Sequence, residues 1–201
     1  MELSGISGTY YVSLGLTGQA SPTGEMFRTD DLSQLLAKGH ELGCHTFDHY
    51  PAWETQPSTY ESSVAQNRAV LAQIAPTRIL QTHSYPISYP RPATKRRLAP
   101  RFRGCRGGGQ TINRGTVDLN YLNSFFLEQT RDDFPAVERI IAANSEVGGW
   151  LIFSNHDVCE NPTRFGCSPA FFEKVVQSSI RSGAKILAMS AALDDLGVPR
   201  M

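Results

Sequence analysis

The sequence has no excess charge of either sign, no long apolar run and no closely spaced cysteine pair. Lysine and arginine together number 19, as do aspartate and glutamate, so the formal net charge is zero. A neutral chain gives no support for a nucleic-acid partner or for binding to an anionic membrane surface. No run of about 18 apolar residues occurs, which argues against a membrane-spanning helix.

Neither a secretory leader nor a disulfide framework is evident. The first residues have no basic segment and no long apolar stretch, so the sequence predicts a cytoplasmic protein. Four cysteines are present, none with C-x-x-C spacing. In a chain without a leader this pattern favours free thiols, although Cys159 and Cys167 would be able to pair if the protein were exported.

What the sequence does contain is an alternation of strand-like and helix-like segments. With 201 residues, of which 40% are hydrophobic and 19% charged, it predicts one globular domain over residues 1–201. The predicted strands are residues 8–14, 42–46, 79–83, 102–106, 122–127, 150–153 and 185–189. The predicted helices are residues 31–38, 58–74, 93–99, 132–144, 168–181 and 190–196. Such alternation implies parallel βαβ units, for which a barrel and an open doubly wound sheet both fit.

Histidines follow three of the predicted strand ends, where chemistry sits in an α/β barrel. His45 and His49 lie four residues apart, and imidazole is a common ligand of zinc and similar ions; accidental spacing is the alternative. His156 and Asp157 suit a general acid or base, or else His156 merely caps the strand through backbone bonds. For His83, packing beneath the turn that follows it is favoured over a ligand or substrate contact.

Several stretches resemble the motifs of one enzyme family. Residues 39–49 read GHELGCHTFDH and residues 149–158 read GWLIFSNHDV, with GTYYV at residues 8–12 and SYP at residues 84–86. This pattern resembles the polysaccharide deacetylase family, the NodB-homology domain of carbohydrate esterase family 4. The resemblance implies a distorted (β/α) barrel of the NodB type. It also implies metal-dependent removal of N- or O-acetyl groups from amino sugars, with an acetylated amino sugar or polysaccharide as substrate.

The resemblance also implies roles for individual residues. His45 and His49 would hold a divalent metal, zinc first, with cobalt or nickel as alternatives. His156 would protonate the leaving amine, and Asp157 would orient His156. The segments that match the remaining motifs imply substrate contacts from Tyr85, Pro86 and Arg106.

The sequence departs from the family in two motifs. The first motif, T-F-D-D, has no counterpart, and Tyr85-Pro86 lacks the arginine and glycine that usually flank it. Loss of a general base lowers a rate by about 10²–10⁴-fold, and two histidines bind a metal more weakly than three ligands. We therefore expect an impaired enzyme, either a fragment or a pseudoenzyme, whose barrel lacks its first strand–helix unit. The resulting free strand edge would be covered by residues 1–6 or by a partner subunit in a homo-oligomer.

Three other functions remain open at this point. The chain would also suit a hydrolase of small cyclic amides or ureides. It would equally suit a non-catalytic carbohydrate-binding or scaffold relative of the same fold. Finally, the pair of His45 and His49 would be a structural metal clip, or would bind nothing.

Overall fold

Six parallel strands form one curled sheet, and helices connect them; in sheet order the strands are β1 (Thr9–Val12), β4 (Glu41–Cys44), β5 (Thr82–Ser84), β6 (Gly104–Gly109), β7 (Leu122–Phe126) and β8 (Phe153–Ser154). The computed structural model describes residues 5–200. Two further strands are β2 (Ala20–Ser21) and β3 (Gly24–Glu25). The helices are α1 (Thr29–Ala37), α2 (Pro57–Ile74), α3 (Pro92–Leu98), α4 (Phe134–Val147), α5 (Pro169–Arg181) and α6 (Met189–Asp195). The predicted parallel βα architecture is confirmed.

Helix boundaries follow the local chemistry of the chain. The Ser168 hydroxyl accepts a 3.2 Å hydrogen bond from the N–H of Phe171 and so caps α5, which continues with a proline at its first position. At the end of α4, Gly148 adopts a left-handed φ of 55°, a conformation that glycine takes without steric cost. These caps account for the close agreement between predicted and observed helices.

Two apolar clusters attach the helices to the sheet. The larger joins the first two helices to the strands at the β1 side, and its buried members include Leu32, Val64, Leu71 and Phe102. The smaller joins α4 and α5 to β7 and β8, with Val137 and Phe171 among its buried side chains. Burial of these helix faces is the main stabilising contribution.

Two predicted strands differ from the structure. Residues 150–153 were expected to form a strand, but β8 covers only Phe153–Ser154, because Trp150 instead pairs antiparallel with Asn113. Residues 185–189 form no strand. Here the backbone N–H groups of Met189 and Ser190 donate to side chains, to Thr9 Oγ1 at 2.8 Å and to Glu41 Oε2 at 2.8 Å. These two bonds hold the first residues of α6, and residues 185–188 lead into that helix without joining the sheet.

The hairpin of β2 and β3 was not predicted, and β1 is the outermost strand of the main sheet. The expectation that residues 1–6 cover its edge falls mostly on residues 1–4, outside the described range. Across residues 5–200, the structure contains no helix long and apolar enough to cross a membrane. All four cysteines are free thiols, as favoured from the sequence.

Candidate active site

A groove of about 2340 Å³ lies between the two outer strands of the curled sheet. Both β1 and β8 border it, as does the extended chain at residues 184–187. Three of its lining residues lie at or just beyond the carboxyl ends of different strands, namely His45, Ser84 and His156, and a fourth, Arg106, lies within β6. Parallel strands therefore gather side chains that are far apart in the sequence at one end of the fold.

His45 and His49 lie side by side in this groove. Their ring centroids are 4.8 Å apart, and the ring planes meet at 70°. Nδ1 of His45 donates a 2.7 Å hydrogen bond to the main-chain oxygen of Ser84. A carbonyl acceptor fixes the tautomer of a neutral imidazole, so the lone pair of His45 resides on Nε2. The structure therefore brings the predicted pair together.

The loop that carries these histidines has an unfavourable backbone conformation. Thr46 and His49 have φ values of 61° and 55°, in the left-handed region that β-branched residues in particular avoid. Ser63 of α2 holds the loop, because its hydroxyl accepts from the N–H groups of Phe47 (3.0 Å) and Asp48 (3.2 Å). The same hydroxyl donates to the carboxylate of Asp48 at 2.8 Å. The helix thus holds the loop between the two histidines in place.

The imidazoles of the groove are held neutral. Burial lowers the pKa of His45 well below its usual value, and the charges of His49 and Arg106 lower it further. Burial and then His156 lower the pKa of His49. For His156, burial lowers the pKa, the Phe165 carbonyl partly offsets this, and Arg106 adds to the lowering. Neutral imidazole is the form that binds a metal ion or accepts a proton.

His156 is oriented by a different residue from the one predicted. Its Nδ1 donates a 3.2 Å hydrogen bond to the main-chain oxygen of Phe165. The carboxylate of Asp157 instead accepts from the N–H (2.6 Å) and the hydroxyl (2.8 Å) of Thr163. Burial raises the pKa of Asp157, but these two hydrogen bonds outweigh it and leave the pKa below its usual value. Asp157 thus stabilises the following loop, and a catalytic role for it stays a prediction.

Tyr85 and Pro86, two of the three predicted substrate contacts, are buried. The Tyr85 side chain is 1% exposed, and its hydroxyl donates a 3.2 Å bond to the main-chain oxygen of Asn120. The Pro86 main-chain oxygen accepts from the N–H of Ala52 at 3.2 Å. Tyr85 borders the groove, as Arg106 does, but its burial and its bonded hydroxyl leave little of its side chain for a substrate contact, and Pro86 does not border the groove.

His83 is a core residue, as favoured from the sequence. It is fully buried, its ring stacks on Phe102 at 5.0 Å, and its Nε2 lies 2.9 Å from the hydroxyl of Tyr60. Burial, together with the charge of Arg68, lowers its pKa from 6.5 to about 3. His83 is therefore neutral throughout the physiological range.

The first half of the chain matches a known family. Residues 4–101 match the family model described as polysaccharide deacetylase. This segment is similar to the polysaccharide deacetylase family. The matched segment contains His45, His49 and the Tyr85-Pro86 turn, and it ends before Arg106 and His156. No match was found among curated proteins.

Solved structures extend the likeness to the whole fold. One is a family 4 acetyl xylan esterase from Clostridium thermocellum in complex with a cobalt ion, with a TM-score of 0.63 and 20% identity. The alignment covers 98% of this chain and 83% of the esterase chain. The Xyl-CE4 domain of a multidomain xylanase, from the hindgut metagenome of Trinervitermes trinervoides, has a TM-score of 0.63 at 10% identity, covering 98% and 82%. IcaB from Ammonifex degensii has a TM-score of 0.51 and 18% identity. That alignment covers 61% of this chain and 57% of the IcaB chain. The predicted NodB-type (β/α) fold is confirmed.

The histidine pair of this deacetylase-family segment fits part of a metal site. Both imidazoles have lowered pKa values, and His45 has the carbonyl-bound Nδ1 that metal-ligating histidines commonly show. Within residues 5–200, however, no three His, Cys, Asp or Glu side chains come together as a metal site. Catalytic zinc commonly has three protein ligands, so His45 and His49 would supply two of them.

Sequence reasoning missed three residues that shape the groove. Ser63 and Ser84 act through contacts distant in the sequence, and no local pattern announces them. Glu128 follows β7 on a 3₁₀ turn (Leu127–Thr130) and also lines the groove. Burial raises its pKa, and its Oε2 is buried without a hydrogen-bond partner among the described residues. Its place after a predicted strand is a signal that a search for carboxylates at strand ends would have found.

Proposed function

We propose that this protein is a metal-dependent deacetylase that removes acetyl groups from amino sugars in a polysaccharide. The observation that carries the proposal is the pair of neutral imidazoles, His45 and His49, in a groove that also contains His156. The family of residues 4–101 and the cobalt ion bound by the acetyl xylan esterase of similar fold support a divalent metal and a polysaccharide substrate.

His45 and His49 would hold the ion, zinc first and cobalt or nickel as alternatives. When bound there, such an ion polarises an acyl carbonyl and lowers the pKa of water to about 7. The Ser84 carbonyl keeps the proton of His45 on Nδ1, so that Nε2 remains available to the ion. Ser63 keeps the loop between the two ligands in place through Phe47.

His156 would move the proton. Because the Phe165 carbonyl holds the hydrogen on Nδ1, Nε2 of the neutral ring is the basic atom. It can accept the proton that the attacking water loses and donate it to the nitrogen or oxygen of the leaving sugar. One residue would then act as base and acid in sequence, and its lowered pKa favours the neutral starting form.

One observation favours a second function, a non-catalytic carbohydrate-binding relative. The described residues contain only a two-histidine set at the proposed metal position. If that pair retains no metal, the groove would bind glycan without hydrolysing it. Saturable glycan binding unaffected by chelators would be the mark of this function.

Metal content per mole of purified protein, measured by mass spectrometry, tests the proposal. We expect the unmodified protein to retain zinc, cobalt or nickel at no more than one ion per chain, since two histidines hold a metal more weakly than three ligands. His45→Ala and His49→Ala should each remove it. His40→Gln is the matched control, since this buried histidine accepts a 3.1 Å bond from the N–H of Gly8 and takes no part in the pair.

His156→Ala separates ligation from proton transfer. The variant should keep its metal and lose acetate release from an acetylated oligosaccharide by about 10²–10⁴-fold. Equal metal loss in all three groove-histidine variants would make His156 a ligand. An unmodified protein with neither metal nor acetate release would reject the deacetylase function in favour of the binding relative.

A further inference from the structure

Arg106 is a charged side chain in the groove without a counter-ion in contact. It ends the regular part of β6, and its guanidinium lies 5.1 Å from the ring centroid of Tyr11 and 5.7 Å from that of Phe126. Among residues 5–200, no hydrogen bond or ion pair engages its guanidinium, and the residue is half-buried. A guanidinium carries five N–H donors and stays charged, so a half-buried one that lacks a protein acceptor presents these donors to an anion in the groove.

A second unsatisfied donor lies next to it. Ser84 of β5 is in direct register with Arg106, so both side chains are on the same face of the sheet. The hydroxyl of Ser84 is buried and has no hydrogen-bond partner among the described residues. Both residues line the groove, and the planar donors of an arginine match the two oxygens of a carboxylate.

The electrostatics of the surroundings also favour an anion. Arg106 is in register with Ser84, whose main-chain oxygen binds His45, so its positive charge lies on the side of the sheet end that carries this imidazole. Burial lowers the pKa of Arg106, whereas Tyr11 and then Glu128 raise it; Glu128 is the one carboxylate of the two, and among the described residues it makes no ion pair with Arg106 within 4.0 Å. Glu128 is thus near enough to influence Arg106 and too far to neutralise it by contact.

We propose that Arg106, with the hydroxyl of Ser84, forms a carboxylate-binding site in this groove. The carboxylate would come either from acetate released during hydrolysis or from an acidic sugar of the polysaccharide. These two sources rest on the proposed function, whereas carboxylate binding itself does not depend on hydrolysis. Glu128 would oppose binding through its negative charge.

Calorimetric titration with acetate, glucuronate and neutral glucose tests this site and distinguishes its sources. We expect a carboxylate to bind with a Kd on the order of 1 mM, and glucose not to bind at Arg106. Arg106→Gln should weaken binding at least about tenfold, Ser84→Ala should weaken it less, and Glu128→Gln should tighten it. Acetate binding without glucuronate binding identifies a product site. Tighter binding of glucuronate than of acetate identifies an acidic sugar chain.

Arg164→Gln is the matched control. Arg164 also lines the groove and lies 4.6 Å over an aromatic ring, that of Phe165, but it is exposed. Equal weakening by Arg164→Gln and Arg106→Gln would mean that general positive charge, and no specific site, attracts the ligand, and would overturn the proposal. So would unchanged binding to folded Arg106→Gln, or no carboxylate binding to the unmodified protein. If Arg106→Gln fails to fold, Arg106→Lys keeps the charge without the planar donors and should still weaken binding. None of these measurements depends on turnover. If the protein binds a carboxylate but hydrolyses no acetylated substrate, the deacetylase function is rejected and the carboxylate site is retained.

Discussion

Acid should destabilise this protein in part through the buried imidazole of His83. The pKa of His83 in the folded protein is about 3, below the ordinary value of 6.5. Between these two pH values the imidazole is protonated in the unfolded chain and neutral in the folded protein. Stability therefore rises with pH across that interval: it is fully present above about pH 6.5 and falls as the pH drops towards 3. Between pH 7 and pH 5, this one group should remove about 2 kcal/mol from the free energy of unfolding.

Urea unfolding at pH 7 and pH 5 measures the effect. The unmodified protein should lose more than His83→Gln between the two pH values, by about 2 kcal/mol. Glutamine does not titrate and retains a hydrogen-bonding group for the hydroxyl of Tyr60. Any constant effect of the substitution cancels, since each variant is compared with itself at two pH values.

Tyr60→Phe serves as the control for this experiment. It removes the hydroxyl that lies 2.9 Å from Nε2 but leaves a buried, titrating imidazole. Its loss of stability between pH 7 and pH 5 should therefore match that of the unmodified protein. The reasoning is refuted if His83→Gln and the unmodified protein lose the same amount, or if stability rises on acidification.

Two further substitutions test how the groove is held. Ser63→Ala removes the hydroxyl that hydrogen-bonds to Phe47 and Asp48. We expect the free energy of unfolding to fall by about 1–3 kcal/mol and metal retention to weaken. If neither quantity changes, this hydroxyl does not hold the loop. Gly43→Ala would place a methyl group 2.4 Å from the Tyr11 ring, over which Arg106 lies. We expect a destabilisation of about 1–3 kcal/mol in thermal unfolding and a change in carboxylate affinity. A variant with unchanged stability and affinity would show that the Tyr11 ring moves aside without cost.

The sequence predicted the site better where ligands follow strands than where other elements support them. The spacing of His45 and His49 and the family resemblance together located the pair, because both residues lie in one loop. The hydroxyl of Ser63 and the carbonyl of Ser84 come from elements 16 and 39 residues away in the chain, so a single sequence carries no trace of these contacts. Asp157 was predicted to orient His156 because the two are neighbours in sequence, yet the carboxylate of Asp157 accepts its hydrogen bonds from Thr163.

For the fold, the same distinction holds between local and tertiary causes. Helices with prolines at their starts and glycines at their ends were predicted within a few residues, since those signals act locally. Residues 185–189 have a strand-like composition, but Met189 begins α6, whose first N–H groups donate to the side chains of Thr9 and Glu41 at the far end of the chain. A hydrophobic pattern alone does not reveal such partners.

The left-handed backbone at Thr46 and His49 lowers the stability of the protein at the positions that set the spacing of the two imidazoles. A non-glycine residue in that region is disfavoured by about 1–2 kcal/mol, so glycine at Thr46 would relieve strain that the present loop retains. Random mutagenesis followed by selection for heat resistance alone should therefore enrich replacements in this loop, and each would loosen the spacing of the two imidazoles. Selection for stability would therefore best be combined with a measurement of the proposed metal retention, so that both properties are followed together.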